Sequence, residues 1–105
     1  MKIKFDKEYL SELYEVGKTT DKKYRFQPSI VKRYQARIKT LEKAEKIEDL
    51  FKINSMFYEK LHGDKDGLES VRVNDQYRIE FKTTIIVSET VVTVCNIIEL
   101  SNHYK

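Results

Sequence analysis

The feature that most constrains the fold is a change of hydrophobic period near the middle of the chain. In residues 1–44 apolar side chains recur at three- and four-residue spacing, which predicts amphipathic helices. From residue 68 onward apolar and polar residues alternate and β-branched residues become frequent, which predicts strands. Since a sheet must bury one face, the helices are expected to cover it. The length of 105 residues suits a single domain over residues 1–105.

Two helices are expected in the first half. Asp6 fits the N-cap of a helix over "KEYLSELYEVG", and Gly17 fits its C-terminal stop. Pro28 suits the first turn of a second helix. The buried face of that helix is expected to consist of Ile30, Val31, Tyr34, Ile38 and Leu41. The predicted fold class is α+β, with two N-terminal helices packed on a small, curved, mainly antiparallel sheet of three to four strands.

A β-hairpin is expected where "LESVRV" and "YRIEF" flank the turn "NDQ". The segment "TIIVSETVVTVCNII" predicts further strand, interrupted near residues 88–90. Side chains alternate across a strand, so Val71, Val73 and Ile79 are expected to face the helices. Arg72 and Arg78 then project from the open face of neighbouring strands.

Two guanidinium groups on neighbouring strands repel each other unless an anion lies between them. The planar fork of arginine fits a phosphate well, so Arg72 and Arg78 predict a phosphate site. The alternative is that Glu69, Asp75 or Glu80 neutralises each arginine. The pattern of residues leaves both interpretations open.

The positions of the charged residues are more informative than the net charge of the protein. The net charge is only +3, but basic residues crowd into residues 18–39. Such a run is commonly a solvated helix face, and the alternative is a surface that contacts nucleic-acid phosphates. The basic residues considered as RNA contacts are Lys18, Lys22, Lys23, Arg25, Lys32 and Arg33.

Several function classes find no support in the sequence. The two histidines and the one cysteine, Cys95, lack the close spacing of metal ligands, and the glycines form no phosphate-binding loop, so no metal and no cofactor are expected. Cys95 lies in an apolar strand and has no partner for a disulfide, which suits a reducing cytosol. No stretch approaches the roughly 20 apolar residues that span a membrane, so no membrane partner and a cytoplasmic location are expected.

One reaction class needs little beyond these residues. RNA can be cleaved by its own 2′-hydroxyl, which attacks the adjacent phosphate. Arginine or lysine can stabilise the charge that develops on the phosphate. Histidine, tyrosine or a carboxylate can transfer the two protons.

The stretch "LHGDKDGLESVRVNDQYRIEF" resembles the central signature of the HigB branch of the RelE/ParE toxin superfamily. The family's turn corresponds to "LHGDKDG" at residues 61–67, its first strand end to "RVN" at 72–74, and its second strand to "YRI" at 77–79. The resemblance covers nearly the whole chain. It implies two helices on an antiparallel sheet, and a bacterial, cytoplasmic, ribosome-dependent endoribonuclease. It also implies a HigA-like helix-turn-helix antitoxin as partner, besides the ribosome and its mRNA.

The resemblance assigns site residues one by one. Arg72 and Arg78 match the family's arginines and would bind the scissile phosphate. Relatives commonly carry an Asp-Tyr-His-like triplet on the last segment, where this sequence has Asn102, His103 and Tyr104. The order differs and an amide replaces the acid, so His103 and Tyr104 remain for proton transfer and base stacking, and Asn102 is expected to contact RNA.

Some relatives use a histidine shortly before the Gly-Asp turn. Counting back from Gly63 places Glu59 there, while His62 adjoins the turn itself, and both are candidates for the general base. Two other functions stay open. The same fold suits a ParE-like inhibitor of DNA gyrase, and the altered tail suits a non-catalytic module that only binds its antitoxin.

Overall fold

The computed structural model describes residues 1–102, and a five-stranded sheet forms its centre. The strands are β1 (Lys2–Phe5), β2 (Glu59–Lys60), β3 (Glu69–Arg72), β4 (Tyr77–Val87) and β5 (Val91–Asn102), in the spatial order β1-β5-β4-β3-β2. β1 runs parallel to β5, and the other neighbours are antiparallel. The prediction of three to four strands was too low. β2 has only two residues, too few to show a period.

Two α-helices precede the main part of the sheet, as predicted: α1 (Glu8–Glu15) and α2 (Pro28–Lys43). Pro28 occupies the first turn of α2, and Gly17 follows α1 at a positive φ of 90°, so both predicted helix boundaries are confirmed. The predicted N-cap at Asp6 was wrong, because the backbone N–H of Asp6 continues the strand pairing by donating to the carbonyl of Ile97 at 2.8 Å. Lys7 takes the N-cap position instead.

Short 3-10 turns fill the long connections between these elements. They span Lys22–Tyr24, Ile47–Lys52, Asn54–Met56 and Gly63–Lys65. The turn at Ile47–Lys52 buries Leu50 in the core.

The core lies between the helices and one face of the sheet. The predicted face of α2 is buried, and Tyr34 donates a hydrogen bond from its hydroxyl to the carbonyl of Leu10 at 2.8 Å. Val71, Val73 and Ile79 are fully buried on the sheet's inner face. The alternation therefore predicted the correct face, and Arg72 and Arg78 are left on the other one.

The β4–β5 hairpin extends beyond the rest of the sheet. Pairing of β3 with β4 stops at Glu69 opposite Phe81, while β4 continues six residues further to Val87. The turn at 88–90 lies at the predicted break. Apolar side chains are exposed on this hairpin: Ile85, Ile86, Val87, Val91 and Val92. Within residues 1–102, no helix is long and apolar enough to cross a membrane.

Candidate functional site

Arg72 and Arg78 occupy directly opposite positions on β3 and β4. Opposite residues of an antiparallel pair project to the same face, and like charges at such positions destabilise the sheet. Both arginines line an open cavity of about 270 Å³ on the face away from the helices. The other residues that line it are Phe57, Tyr58, Glu59, Ser70, Asn74 and Tyr77. The cavity is a natural place for an anion.

Arg78 is the more deeply held of the two arginines. Its side chain is 17% exposed, and its Nη1 donates to Oε1 of Glu59 at 2.6 Å and to the hydroxyl of Ser70 at 3.4 Å. The Glu59 side chain is 55% exposed, so water competes for its carboxylate. The sheet thus presents a fixed guanidinium beside an accessible carboxylate, a pairing that suits phosphate binding and proton transfer.

The turn at residues 61–68 determines where Glu59 lies. The backbone N–H of Leu61 donates to the carbonyl of Leu68 at 2.9 Å and closes the loop between β2 and β3. Gly63 and Gly67 have φ values of 69° and 90°, which glycine adopts without strain. The closed turn places Glu59 opposite Ser70, next to Arg78.

Arg72 is held by an aromatic ring. Its guanidinium carbon lies 4.1 Å from the centroid of Phe57, within the range of a cation–π contact. Phe57 has φ 44° and ψ 50°, a left-handed conformation that costs a non-glycine residue about 1–2 kcal/mol. Asp75 approaches Arg72 only loosely, at 3.8 Å, and is fully exposed.

The alternative that acidic neighbours neutralise the two arginines is only partly correct. Asp75 does lie near Arg72, but Glu69 accepts hydrogen bonds from the hydroxyls of Tyr58 and Thr83, at 2.5 and 2.7 Å. Glu80 pairs with Lys65 at 2.5 Å. The carboxylate next to Arg78 is instead Glu59, outside the three residues considered.

The Lys65–Glu80 pair ties the glycine turn to β4. Glu80 is 3% exposed, so Lys65→Met is expected to leave a buried carboxylate without this partner and to lower the free energy of unfolding by about 2 kcal/mol. Urea denaturation measures the change. The matched control is Lys60→Met, at an exposed lysine of β2. Equal stabilities of the two variants would contradict the expectation, and Glu80→Gln in the Lys65→Met background should recover part of the loss.

Arg37 connects α2 to the same site. Its Nε donates to the carbonyl of Arg72 at 2.9 Å, and its Nη2 reaches the carbonyl of Ser55 at 3.5 Å. Burial, with a smaller contribution from the nearby charge of Arg33, lowers the pKa of Arg37 from its ordinary value. Arg37 therefore fixes the end of β3 at which Arg72 projects.

The basic residues expected to contact RNA are all exposed, as a contact surface requires. They are Lys18, Lys22, Lys23, Arg25, Lys32 and Arg33. Phe26 packs edge-on against Tyr77 of the cavity, with ring centroids 5.5 Å apart, so neighbouring Arg25 lies on a segment next to the site. Asn102 pairs with Tyr77 at the end of β5, so the last strand also reaches the site.

The remaining candidates differ in position. His62 is exposed and lines a second cavity of about 760 Å³, formed with the β4–β5 hairpin, rather than the cavity of the two arginines. His103 and Tyr104 lie outside the described residues. Cys95 is buried, and burial raises the pKa of its thiol to about 12, as expected for a core residue rather than a nucleophile.

Three contributors to the site were not identified from the sequence: Phe57, Ser70 and Arg37. Ser70 alternates with Val71 on β3, so the period that placed Arg72 on the open face would have placed Ser70 there too. Arg37 belongs to the basic run but acts through a contact 35 residues away. The left-handed backbone of Phe57 could not be predicted, because phenylalanine does not favour that conformation.

The chain is similar to known proteins in sequence and in fold. A family model described as the RelE-like toxin of the type II toxin–antitoxin system HigB matches residues 3–94. The YoeB/ParE toxin from Agrobacterium tumefaciens has a similar solved structure, with a TM-score of 0.54 and 20% sequence identity over 99% of this chain and 100% of that one. At that identity the likeness bears on the fold alone. No curated protein sequence matches the chain. Since the family model covers most of the sequence, the chain belongs to the RelE-like HigB toxins of type II toxin–antitoxin systems.

Proposed function

We propose that this protein is an endoribonuclease that cleaves mRNA on the ribosome without a metal ion. The 2′-hydroxyl oxygen forms a bond to the adjacent phosphorus, and the bond from phosphorus to the 5′-oxygen breaks. The products are a 2′,3′-cyclic phosphate and a 5′-hydroxyl end. The observation that carries the proposal is the placement of Arg72 and Arg78 opposite each other in one cavity with the carboxylate of Glu59.

The two arginines supply the electrostatic part of the mechanism. Negative charge builds up on the non-bridging oxygens as phosphorus becomes five-coordinate. Donors that are already fixed in place stabilise this charge without reorganising during the reaction. Arg78 is fixed by Ser70 and Glu59, and Arg72 by the ring of Phe57.

Glu59 is the proposed general base. Its carboxylate is accessible and lies beside the guanidinium that would hold the phosphate, so it can accept the proton of the 2′-hydroxyl. The 5′-oxygen needs a proton as it leaves. His103 or Tyr104 is proposed as its source, since β5 carries the chain to Asn102 beside Tyr77. For the role of base, His62 is a less favourable candidate than Glu59, because it lines the other cavity.

The proposed partners follow from the family and the surface. A toxin of a type II system has an antitoxin, and we propose a HigA-like helix-turn-helix protein. The exposed basic residues of the segment before α2, and of α2 itself, would contact ribosomal RNA in the cytoplasm.

Mapping mRNA 5′ ends after inducible expression tests the function directly. New ends at fixed positions within translated codons are expected, and they should vanish when translation initiation is blocked. Growth arrest without such ends would refute ribosome-dependent cleavage. Neither arrest nor new ends would favour a module that only binds its antitoxin.

A ParE-like inhibitor of DNA gyrase is the second candidate, favoured by the fold shared with the YoeB/ParE toxin from Agrobacterium tumefaciens. Deletion of residues 102–105 separates the two. We expect the deletion to abolish cleavage, since it removes the proposed proton donor, while pairing of β4 with residues 91–101 of β5 preserves the sheet. Growth arrest and supercoiling by purified gyrase are measured together, with Asn102→Ala as the full-length control. Full toxicity of the truncated protein would favour gyrase.

A further inference from the structure

Phe57 is the one non-glycine residue with a positive φ among residues 1–102. It follows the 3-10 turn Asn54–Met56, and its backbone N–H donates to the carbonyl of Asn54 at 3.1 Å. A phenylalanine is an unfavourable choice for this conformation, which glycine or asparagine adopts more readily. Such conformations persist where the surroundings impose them, and they concentrate at functional sites.

The burial of Phe57 does not explain this choice. The residue is 57% exposed, whereas Met56 before it is fully buried in the core. Its ring lies at the rim of the arginine cavity and contacts the guanidinium of Arg72 at 4.1 Å. The strained backbone therefore presents an aromatic ring to solvent beside a phosphate-binding group.

From this placement we infer that Phe57 and Arg72 form a stacking subsite for one unpaired nucleobase next to the scissile phosphate. Aromatic rings and guanidinium planes are the surfaces on which single-stranded bases stack. The inference rests on the proposed function, because the ligand is single-stranded mRNA. It gives Arg72 a second role, in which it contacts a base as well as the phosphate.

Loss of the stacking subsite should affect the kinetics differently from loss of Arg78 or Glu59. Stacking holds the nucleotide in the ground state as well as in the transition state, so loss of Phe57 raises KM more than it lowers kcat. Loss of Arg78 or Glu59 lowers kcat.

The test pairs a change in the protein with a change in the RNA. Phe57→Gly removes the ring and fits the left-handed backbone, and Phe57→Trp keeps an aromatic face. The probes are short single-stranded RNA oligonucleotides, one intact and others carrying a single abasic nucleotide at each position in turn. Dissociation constants come from fluorescence anisotropy at low salt, and urea denaturation confirms that both variants fold.

For the intact oligonucleotide, Phe57→Gly is expected to raise Kd about 5- to 100-fold, whereas Phe57→Trp stays close to wild type. For one abasic probe the effect of Phe57→Gly should disappear, because the stacked base is already absent. The subsite is overturned if Phe57→Gly weakens every probe equally, which would mean that the ring only positions Arg72. It is also overturned if Phe57→Gly changes nothing or the wild type binds no probe.

Cleavage on translating ribosomes, measured in parallel, keeps the two proposals apart. If the wild type cleaves mRNA but the effect of Phe57→Gly is the same for every probe, the stacking subsite alone is refuted. If the effect of Phe57→Gly disappears for one abasic probe but the wild type does not cleave mRNA, the nuclease function alone is refuted.

Discussion

Arg78→Ala is expected to lower the rate of mRNA cleavage by about 10²–10³-fold and to abolish growth arrest. The guanidinium is held in the cavity by Glu59 and Ser70, where negative charge would develop on the phosphate. The variant lacks this fixed hydrogen-bond donor, and the water molecules that replace it must reorganise during the reaction. The rate is measured by primer extension on mRNA from translating ribosomes supplied with the purified variant.

The fold is expected to survive this change. Arg78 lies on the face of the sheet away from the apolar core, and Glu59, once left alone, is 55% exposed and stays solvated. Lys82→Ala is the matched control, since it removes a positive charge from an exposed position of the same strand. Arg78→Lys keeps the charge without the fork and should fall between the two. Near-normal cleavage by a folded Arg78→Ala protein would rule out the proposed mechanism.

The faces of the sheet could be predicted because alternation is a strict consequence of strand geometry. Val71, Val73 and Ile79 are fully buried, and a slip of one residue would have exposed all three. The same rule placed Arg72 and Arg78 together on the open face before any register was known. Helix α2 was equally clear, because its five apolar residues share one stripe.

Other features depend on contacts that no local pattern encodes. β2 has two residues, so Glu59 is placed by the closure of the turn at 61–68 and not by periodicity. The resemblance to the HigB family singled out Glu59 by position. Its pairing with Arg78, across 19 residues of sequence, appears only in the folded sheet. Asp75 and Glu80 are closer in sequence to the arginines than Glu59 is, but Glu80 forms an ion pair with Lys65.

Glu59→Gln is expected to reduce kcat by about 10²–10⁴-fold, the contribution of one general base. Glutamine has the same shape, and its amide oxygen can still accept the hydrogen bond from Arg78. The phosphate-binding guanidinium thus stays in place while the group that accepts the proton of the 2′-hydroxyl is lost. The measurement is single-turnover cleavage on translating ribosomes, which separates chemistry from binding.

The affinity of Glu59→Gln for RNA should not fall together with its kcat, and this distinguishes a base from a structural residue. The carboxylate of Glu59 competes with phosphate for Arg78 at 2.6 Å, so a neutral amide should leave the affinity for RNA unchanged or tighter. If Glu59 only positioned Arg78, Glu59→Gln would cleave nearly as fast as wild type and Glu59→Ala would be the impaired variant. If Glu59 is the base, added formate should partly restore Glu59→Ala, because the exposed site admits a small carboxylate, and should leave Arg78→Ala inactive. Unimpaired cleavage by Glu59→Gln would transfer the role of base to the residues after Asn102.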